Sequence, residues 1–397
     1  MVSDPTSLAH VFGPRPVQPP GCWYYSIVVS ETNIYLGGHF SVLDDPLRSG
    51  LVRVSAVDGS TDRNWGPQSF NGTIYAIALN GDDVFIAGEF TVLGSFDRNN
   101  IAKLSATGSG AVDANWHPNA NARVEKLLLS GNDIFAAGQF TRIDGRTRAY
   151  LAKLSASGTG AVDPLWDAKV QPASGAVISG MVVSGSSFYV SGSFTNIGGI
   201  SRPGLAKLST LGSGVVDTNW IPPEDFVALY PGQGSLALTH DALLVVTTAS
   251  DYFGVSILKL DPNGTGERDP GWNPAFDYDP DLVRMSSWGV FAAGTFDLCN
   301  GAVSLSVAKL DFLTAARDPG FDAQVQSSGA VYAIARQPDG KVIVGGDFWF
   351  AGGLPRQNLA RINPDGTLDP FWSPDPDGIV NAIAVASGMT AATSFTT

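Results

Sequence analysis

Short apolar runs separated by turn residues follow one another along the whole chain. In one stretch the runs cover residues 74–79, 84–90, 100–105 and 111–116. Each run is either continuously apolar or alternates apolar with polar positions over six or seven residues, which is typical of β-strands. Asn80-Gly81-Asp82 and the glycine-rich residues 107–110 separate the runs and favour tight turns. The pattern predicts four short antiparallel strands and no helix.

This unit recurs at a spacing of 50 to 54 residues, or about twice that across one degenerate copy. The first mark of the repeat is Gly-x-Phe, which ends at Phe40, Phe90, Phe140, Phe194, Phe296 and Phe348. The second mark is Asp-x-x-Trp, which begins at Asp62, Asp113, Asp163, Asp217, Asp269 and Asp369, with Asp318 before Phe321 as a variant. Between them lies Leu-Ala-Lys-Leu, at residues 151–154 and 205–208, with a close variant at 101–104. Three marks in a fixed order indicate one repeated structural unit.

A single four-stranded sheet cannot bury both faces, so consecutive repeats are expected to stack into a ring. We therefore predict an all-β fold: a single β-propeller over residues 1–397 with no second domain and eight four-stranded blades. The first two strands occur eight times and the last two only seven times in full. Val11-Phe12-Gly13-Pro14 resembles Asn64-Trp65-Gly66-Pro67, the end of a fourth strand, so we expect N-terminal and C-terminal strands to share the closing blade. Seven blades are the alternative.

The seventh repeat carries a further pattern. Asp339-Gly340-Lys341 precedes its Gly-x-Phe mark, and residues 359–362 precede Asp365-Gly366 and Asp369. With this pattern the chain resembles the bacterial delta-60 propeller repeat over essentially its whole length. The resemblance implies a large exported or surface protein without an assigned activity. The fifth repeat departs most, with Thr247-Thr248-Ala249-Ser250 where glycine and phenylalanine are expected.

Composition and charge narrow the classes of partner. Hydrophobic residues make up 44% of the chain and charged residues 15%, which excludes a disordered chain. The formal net charge of −13 argues against a nucleic-acid partner and against an anionic membrane surface. Membrane insertion is not expected, because no apolar run approaches about eighteen residues. The first twenty residues lack the order of a signal peptide, but few lysines and many small polar residues favour an extracellular or cell-surface protein.

Residues that recur in the repeats are interpreted as structural. An aromatic side chain at one fixed register is expected to fill the wedge between neighbouring sheets. The aspartate of Asp-x-x-Trp is expected to hold a turn through hydrogen bonds to the backbone. An arginine before the third strand is expected to make a structural bond rather than an anion-binding ring; it recurs as Arg48, Arg98, Arg148, Arg202 and Arg356.

Candidate ligand-binding positions are those at which the repeats differ. At the start of the innermost strand, beside the expected central channel, the aligned residues are Tyr25, Tyr75, Glu125, Ser179, Gly234, Arg284, Tyr332 and Asn381. The predicted ligand-binding site consists of six of these residues: Tyr25, Tyr75, Glu125, Arg284, Tyr332 and Asn381. Tyrosines, charged groups and an amide together suit a polar ligand such as a sugar. The alternative is that the tyrosines pack between blades and that Glu125 pairs with Arg123 or Lys126.

These observations favour a binding or scaffold propeller that recognises a glycan or a protein. A polysaccharide lyase or hydrolase at the same channel mouth is the second hypothesis, and a structural subunit of a surface assembly is the third. No catalytic residue is assigned, because the four histidines are scattered and no nucleophile motif is present. No cofactor is expected. Structural calcium is the alternative, since aspartates cluster in three acidic loops: Asp277, Asp279 and Asp281; Asp261, Glu267 and Asp269; Asp375 and Asp377.

Overall fold

A computed structural model describes residues 23–30, 32–42, 45–55, 60–67, 70–172, 178–223, 236–248, 255–278, 280–286, 289–373, 379–386 and 389–392. Within these ranges the regular structure consists of β-strands, as predicted. In the same ranges no helix has the length and apolar character needed to cross a membrane. The predicted N-terminal strand at residues 11–14 lies outside the described residues.

Within the described residues we group the strands into eight consecutive units, the last of which is a two-stranded hairpin. Unit 1 contains β1 (Trp23–Val29), β2 (Asn33–Val42) and β3 (Asp45–Ser55). Unit 2 contains β4 (Thr73–Asn80), β5 (Asp83–Glu89), β6 (Val92–Leu93), β7 (Phe96–Asp97) and β8 (Ile101–Ser105). Unit 3 contains β9 (Val124–Ser130), β10 (Asp133–Gly138), β11 (Arg142–Ile143), β12 (Arg146–Thr147) and β13 (Leu151–Ser155). Unit 4 contains β14 (Gln171–Pro172), β15 (Ile178–Ser184), β16 (Ser187–Gly192), β17 (Phe194–Ile197), β18 (Ile200–Ser201) and β19 (Leu205–Ser209). Unit 5 contains β20 (Leu236–Leu238), β21 (Leu243–Thr248) and β22 (Val255–Leu260). Unit 6 contains β23 (Pro280–Ser286), β24 (Gly289–Gly294), β25 (Leu298–Cys299), β26 (Ala302–Val303) and β27 (Val307–Leu310). Unit 7 contains β28 (Gln326–Arg336), β29 (Val342–Ala351), β30 (Leu354–Pro355) and β31 (Leu359–Ile362). Unit 8 contains β32 (Ile383–Ala386) and β33 (Met389–Ala392).

Each of units 1 to 7 has a main antiparallel sheet in which the second long strand lies between the first and the third. The predicted fourth strand over residues 111–116 was wrong in extent. Only the bridge between Leu104 and Val112 forms there, and an equivalent single bridge recurs in the other six of units 1 to 7. The chain leaves the sheet early because the Asp-x-x-Trp turn follows directly. A short hairpin after Gly-x-Phe, such as β6 with β7, was not predicted.

The first long strands of successive units lie against one another. β4 contacts β1 and β9, and β15, β20, β23 and β28 continue the series. β32 of unit 8 lies beside both β28 and β1. The starts of the first strands are therefore neighbours at one end of the units.

The predicted packing of the tryptophans between sheets is confirmed. Trp65, Trp116, Trp166, Trp220 and Trp272 are all fully buried. The Trp116 indole N–H donates to the Ser155 carbonyl of the next unit at 2.9 Å, and Trp166 donates to Ser209 at 2.8 Å. Each tryptophan therefore combines burial, worth roughly 2 to 3 kcal/mol, with a directional link to the following unit.

The predicted aspartate turns are confirmed, and the repeated lysine joins them to the next unit. Asp163 Oδ1 accepts the backbone N–H groups of Leu165 at 2.9 Å and Trp166 at 3.1 Å. Lys153 Nζ lies 3.5 Å from Asp163 Oδ2 and donates to the Thr210 carbonyl of unit 4 at 3.0 Å. Lys207 and Lys259 make the same two contacts in their own repeats. One buried ammonium group thus ties an aspartate turn to a neighbouring sheet.

Four of the five recurring arginines have the predicted structural role, and the side chain of Arg48 lies outside the described part of the chain. Arg98 Nη2 donates to the Asp113 carbonyl at 2.9 Å, and Arg148 Nη2 donates to the Asp163 carbonyl at 3.0 Å. Arg202 and Arg356 donate to carbonyls of the equivalent turns. These bonds hold the Asp-x-x-Trp turns of units 2, 3, 4 and 7 against their own hairpins.

The aspartate turns predict how stability depends on pH. Burial raises the pKa of Asp163, but the backbone N–H groups of Leu165 and Trp166 and the charge of Lys153 outweigh it and hold that pKa below its ordinary value. A carboxylate whose pKa is depressed in the folded state stabilises the fold above its unfolded-state pKa, and this stabilisation is lost as the pH falls through the folded-state pKa. The free energy of unfolding should therefore decline below about pH 4.

Asp163→Asn keeps an oxygen for the turn but removes the charge. It should lower the free energy of unfolding by about 1 to 2 kcal/mol at neutral pH and should make the decline in acid smaller. Urea unfolding at neutral and acidic pH measures both effects. Asp241→Asn, at an aspartate whose side chain is 79% exposed, is the control. An Asp163→Asn variant with the full acid dependence of the parent would contradict the assignment.

Candidate functional site

A β-bulge interrupts the first long strand in units 1 to 4, 6 and 7. In unit 2, Ile74 pairs with Gly88 and Ala76 with Ala87, so Tyr75 has no partner on β5. The glycine of Gly-x-Phe makes room for the bulge, because a Cβ on Gly88 would lie 1.9 Å from the Thr73 carbonyl oxygen. The bulge turns one side chain per unit out of the ladder.

The unpaired residues of these bulges form what we call the bulge set: Tyr25, Tyr75, Glu125, Ser179, Asp281 and Tyr332. The predicted positions of Tyr25, Tyr75, Glu125 and Tyr332 are therefore equivalent in the structure. Asn381 occupies the same place in unit 8, since Val380 before it lies against Gly345 as Ile74 lies against Gly37. Gly234 lies outside the described residues.

The predicted placement of Arg284 was wrong. Asp281 occupies the bulge of unit 6, and Arg284 lies three residues further along β23, opposite Phe291. Its Nη1 donates to the Val283 carbonyl at 3.0 Å. Although the side chain has exposed surface, surrounding protein atoms lower the pKa of its guanidinium group through burial. The alignment failed because residues 279 to 281 repeat Asp and Pro and lack the apolar residue that precedes Tyr75.

A second group of variable residues lies next to the bulge set and was missed in the sequence. It consists of the middle residues of Gly-x-Phe, which we call the Gly-x-Phe set: His39, Glu89, Gln139, Ser193, Thr295 and Asp347. His39 Nδ1 lies 3.2 Å from the Thr73 hydroxyl and so links units 1 and 2. The signal was available, because this position varies between a glycine and a phenylalanine that recur.

Tyr25 and Tyr75 form an aromatic pair that remains open to solvent. Their ring centroids are 5.1 Å apart and the rings are tilted by 53°. Tyr25 is 46% exposed. Beside them, Arg123 Nε contacts Glu125 Oε1 at 2.7 Å, which is the ion pair expected under the alternative interpretation. The tyrosines therefore do pack across two units, but they also present ring surface.

The surroundings of the tyrosines do not prepare them as bases. Burial and the carboxylate of Glu89 raise the pKa of Tyr75, Arg123 lowers it, and the net shift is upward. Burial also raises the pKa of Tyr25. A tyrosine base at neutral pH needs a lowered pKa. This pair suits stacking and hydrogen bonding better than proton abstraction.

Tyr332 lies in a different environment. It is 42% exposed. Burial raises its pKa, the carboxylates of Asp347 and Asp281 raise it further, and a hydrogen bond with the Ala330 backbone opposes them. Asp347 belongs to the same unit as Tyr332, whereas Asp281 belongs to the preceding one. Carboxylates of two neighbouring units thus act on the pKa of Tyr332.

Several aspartates considered for calcium hold backbone turns. Asp277 Oδ1 accepts the N–H groups of Asp297 and Leu298, and Asp261 Oδ1 accepts those of Asn263 and Gly264. Across the described ranges, no group of three or more histidine, cysteine, aspartate or glutamate side chains is placed to hold a metal ion. Asp279, Asp375 and Asp377 lie outside those ranges. Calcium binding stays a prediction.

A family model described as "Domain of unknown function (DUF5122) beta-propeller" matches residues 132–160 and 337–371, in units 3 and 7. Among solved structures, the chain is similar to apo AztD from Citrobacter koseri, with 13% identity and a TM-score of 0.41 over 85% of this chain and 83% of that one. It is also similar to a quinoprotein alcohol dehydrogenase-like protein from Bacteroides thetaiotaomicron, with 9% identity and a TM-score of 0.40 over 90% and 67%. No curated protein matches the sequence.

The repeated sheets and the family match define an all-β, β-propeller repeat protein. The more specific delta-60 assignment stays a prediction.

The environment of Tyr75 can be tested by titration. Glu89→Gln removes a negative charge that disfavours the phenolate, so the pKa of Tyr75 should fall relative to the parent. Ultraviolet absorbance of phenolate as the pH rises, compared with a Tyr75→Phe background, measures the change. Glu267→Gln removes the same charge at an exposed turn of unit 5 and is the control. A Tyr75 titration that is identical in both variants would contradict the proximity of Glu89.

Proposed function

We propose that this protein is an exported binding propeller whose bulge set holds a polar ligand, with a glycan as the first candidate. The observation that carries the proposal is the solvent-open pair of Tyr25 and Tyr75, with ring centroids 5.1 Å apart. Aromatic faces stack on the apolar faces of sugar rings, and neighbouring polar groups fix their hydroxyls. The Arg123 and Glu125 side chains supply a donor and an acceptor beside the pair.

Variation between the units supports binding rather than a purely structural role. Residues that hold the sheets together repeat from unit to unit, whereas the bulge set and the Gly-x-Phe set vary in size and charge between units. A ligand without rotational symmetry needs such an asymmetric surface. The raised pKa values weigh against either tyrosine acting as the base of an elimination.

We also propose that the eight units form one domain, closed as an eight-bladed ring in which residues 11–14 complete unit 8. The contacts of β32 with both β28 and β1 support this closure. The sequence match of Phe12 to Trp65 supports it independently, since Trp65 is fully buried between units 1 and 2. A ring would gather the bulge set around one opening.

The closure makes Phe12 a structural residue. Phe12→Ala should lower the free energy of unfolding by about 3 to 5 kcal/mol, the usual cost of removing a buried aromatic ring. Chemical denaturation followed by tryptophan fluorescence measures it. Phe371→Ala, at a phenylalanine that is 82% exposed, is the matched control. Equal, small effects of the two substitutions would argue against a closing strand at residues 11–14.

Glycan binding is tested with an array probed at two salt concentrations, with and without calcium. Saturable binding to one class of sugar is expected. Tyr25→Ala with Tyr75→Ala should weaken it by about thirty- to one-hundred-and-fiftyfold, as expected for two stacking contacts worth about 1 to 1.5 kcal/mol each. Phe371→Ala should leave it unchanged. A folded protein that binds no glycan would overturn the proposal, and calcium-dependent binding would support the calcium prediction.

A protein ligand is the second candidate, and the short hairpins of units 6 and 7 favour it. Val303, Trp349, Phe350 and Leu354 are 42% to 56% exposed there. The equivalent hairpin of unit 3 carries Arg142, Arg146 and Thr147 instead. Large exposed apolar patches on a monomer surface often mark sites of protein interaction. If the array is negative, loss of a captured partner on Trp349→Ala would favour this function.

A further inference from the structure

Among the bulges that the structure describes, only the one in unit 3 is followed directly by a charged residue. Lys126 follows the bulge residue Glu125 and pairs with Ala137 on β10. The equivalent residues of the other units with a bulge are small or apolar: Ser26, Ala76, Gly180, Leu282 and Ala333. The repeated frame therefore does not require a lysine here, and the long side chain with its ammonium group is a feature of unit 3 alone.

Lys126 lacks the partners that hold the repeated lysines of the frame. Lys153 of the same unit contacts an aspartate turn and donates to a carbonyl of unit 4. The carboxylate next to Lys126 in the chain, that of Glu125, is bonded to Arg123 at 2.7 Å. Within the described part of the chain the Lys126 ammonium group makes neither a hydrogen bond nor an ion pair. It is available to an acceptor on a ligand.

The side chain of Lys126 projects toward unit 4. Directly opposite residues of an antiparallel pair project to the same face, so the side chains of Lys126 and Ala137 lie side by side. Ala137 belongs to the buried cluster of units 3 and 4 together with Ile178, and Leu128 packs against the same cluster. Lys126 is only partly buried, so its apolar stem covers this cluster while the ammonium group reaches solvent.

The surroundings of Lys126 favour contact with an anion. Burial lowers the pKa of Lys126, and the charge of Glu125 raises it without restoring the ordinary value. A cation that protein atoms partly remove from water is less stable than one in solvent, and an anion against it recovers part of that loss. Because the local dielectric constant is also lower than in water, the attraction is stronger than at a fully exposed lysine.

We propose that Lys126 anchors a carboxylate, so that the glycan taken at this end of the units contains an acidic sugar. This inference rests on the proposed glycan-binding function. Lys126 lies directly after the bulge of unit 3, and Tyr75 occupies the bulge of unit 2, whose first strand contacts the first strand of unit 3. A sugar stacked on the tyrosine pair therefore brings an acidic neighbour in the same oligomer toward Lys126.

The overall charge of the protein limits the length of this ligand rather than its sign. The formal net charge is −13, which repels a long polyanion. At an ionic strength of about 0.15 M, however, exposed charges more than about 8 Å apart are largely screened. The cation nearest to a bound carboxylate therefore contributes more to affinity than the distant acidic residues do, and a short acidic oligomer is the expected ligand.

The test compares two oligomers that differ chiefly in charge. Isothermal titration calorimetry is run at physiological salt with a galacturonate tetramer and with its methyl ester, in which esterification removes the negative charges. The parent protein should bind the acidic tetramer about tenfold more tightly, the equivalent of about 1.4 kcal/mol.

Variants locate the preference. Lys126→Met keeps an unbranched apolar stem and removes the charge, so it should remove most of the preference and leave affinity for the ester nearly unchanged. Lys126→Arg keeps the charge and should retain most of the preference. Lys169→Met, at an exposed lysine of the same unit, is the control and should retain all of it.

A second measurement uses the parent protein alone, so the test does not depend on a variant folding. Trace acetylation with acetic anhydride, followed by mass spectrometry, reports the reactivity of each lysine. The acidic tetramer should protect Lys126 and leave Lys169 unprotected. At the same concentration, the ester should protect Lys126 less, because it binds more weakly and offers no charge to the ammonium group.

The outcomes separate this inference from the function on which it rests. Equal binding of the two tetramers, a preference that survives in Lys126→Met, or acetylation of Lys126 that the acidic tetramer does not slow would overturn the carboxylate anchor and leave glycan binding in place. Binding of neither tetramer by a protein that binds only neutral glycans on the array would also overturn the anchor alone. A protein that binds no glycan at all would overturn both.

Discussion

The link between each tryptophan turn and the following sheet is the interaction on which the rest of the molecule depends. Trp166 is fully buried and donates to the Ser209 carbonyl, while Lys153 of the same unit donates to the Thr210 carbonyl. Two directional bonds to adjacent carbonyls fix how one sheet lies on the next, which apolar packing alone would leave loosely defined. Repetition of this link places the first strands side by side and brings the bulge set to one end.

The repeats separate structural residues from variable ones. The repeated tryptophan, aspartate and lysine form the links between units. The glycine of Gly-x-Phe is required because the bulged strand occupies the space that a Cβ on this residue would need. The residues exposed by the bulge do not form these links, so their identity can differ from unit to unit. The result is a regular frame with an irregular surface: an aromatic pair beside an ion pair at units 1 to 3, and at unit 7 a single tyrosine whose pKa two carboxylates raise.

Much of the frame could be predicted from the sequence, because the marks that identify the repeat are the residues that make its contacts. The Asp163 turn, the buried Trp166 and the structural role of Arg148 follow directly from the motif. The fourth strand was overestimated, since alternation around Val112 resembles a strand although only one bridge forms.

The site was harder to predict. Arg284 was placed by alignment across a degenerate segment, and Asp347 was hidden inside a motif that was taken as structural. Charge relationships between units, such as Asp281 with Tyr332, depend on three-dimensional proximity and have no sequence signal.

A crystal structure of the protein with the strongest glycan from the array tests the central claim most directly. The account predicts a sugar ring stacked on Tyr25 or Tyr75, with carbon atoms within about 4 to 4.5 Å of the aromatic ring. It also predicts that the ligand contacts side chains of the bulge set from more than one unit. A ligand bound on the outer turns or at the opposite end of the strands, with the tyrosine pair uncovered, would contradict it.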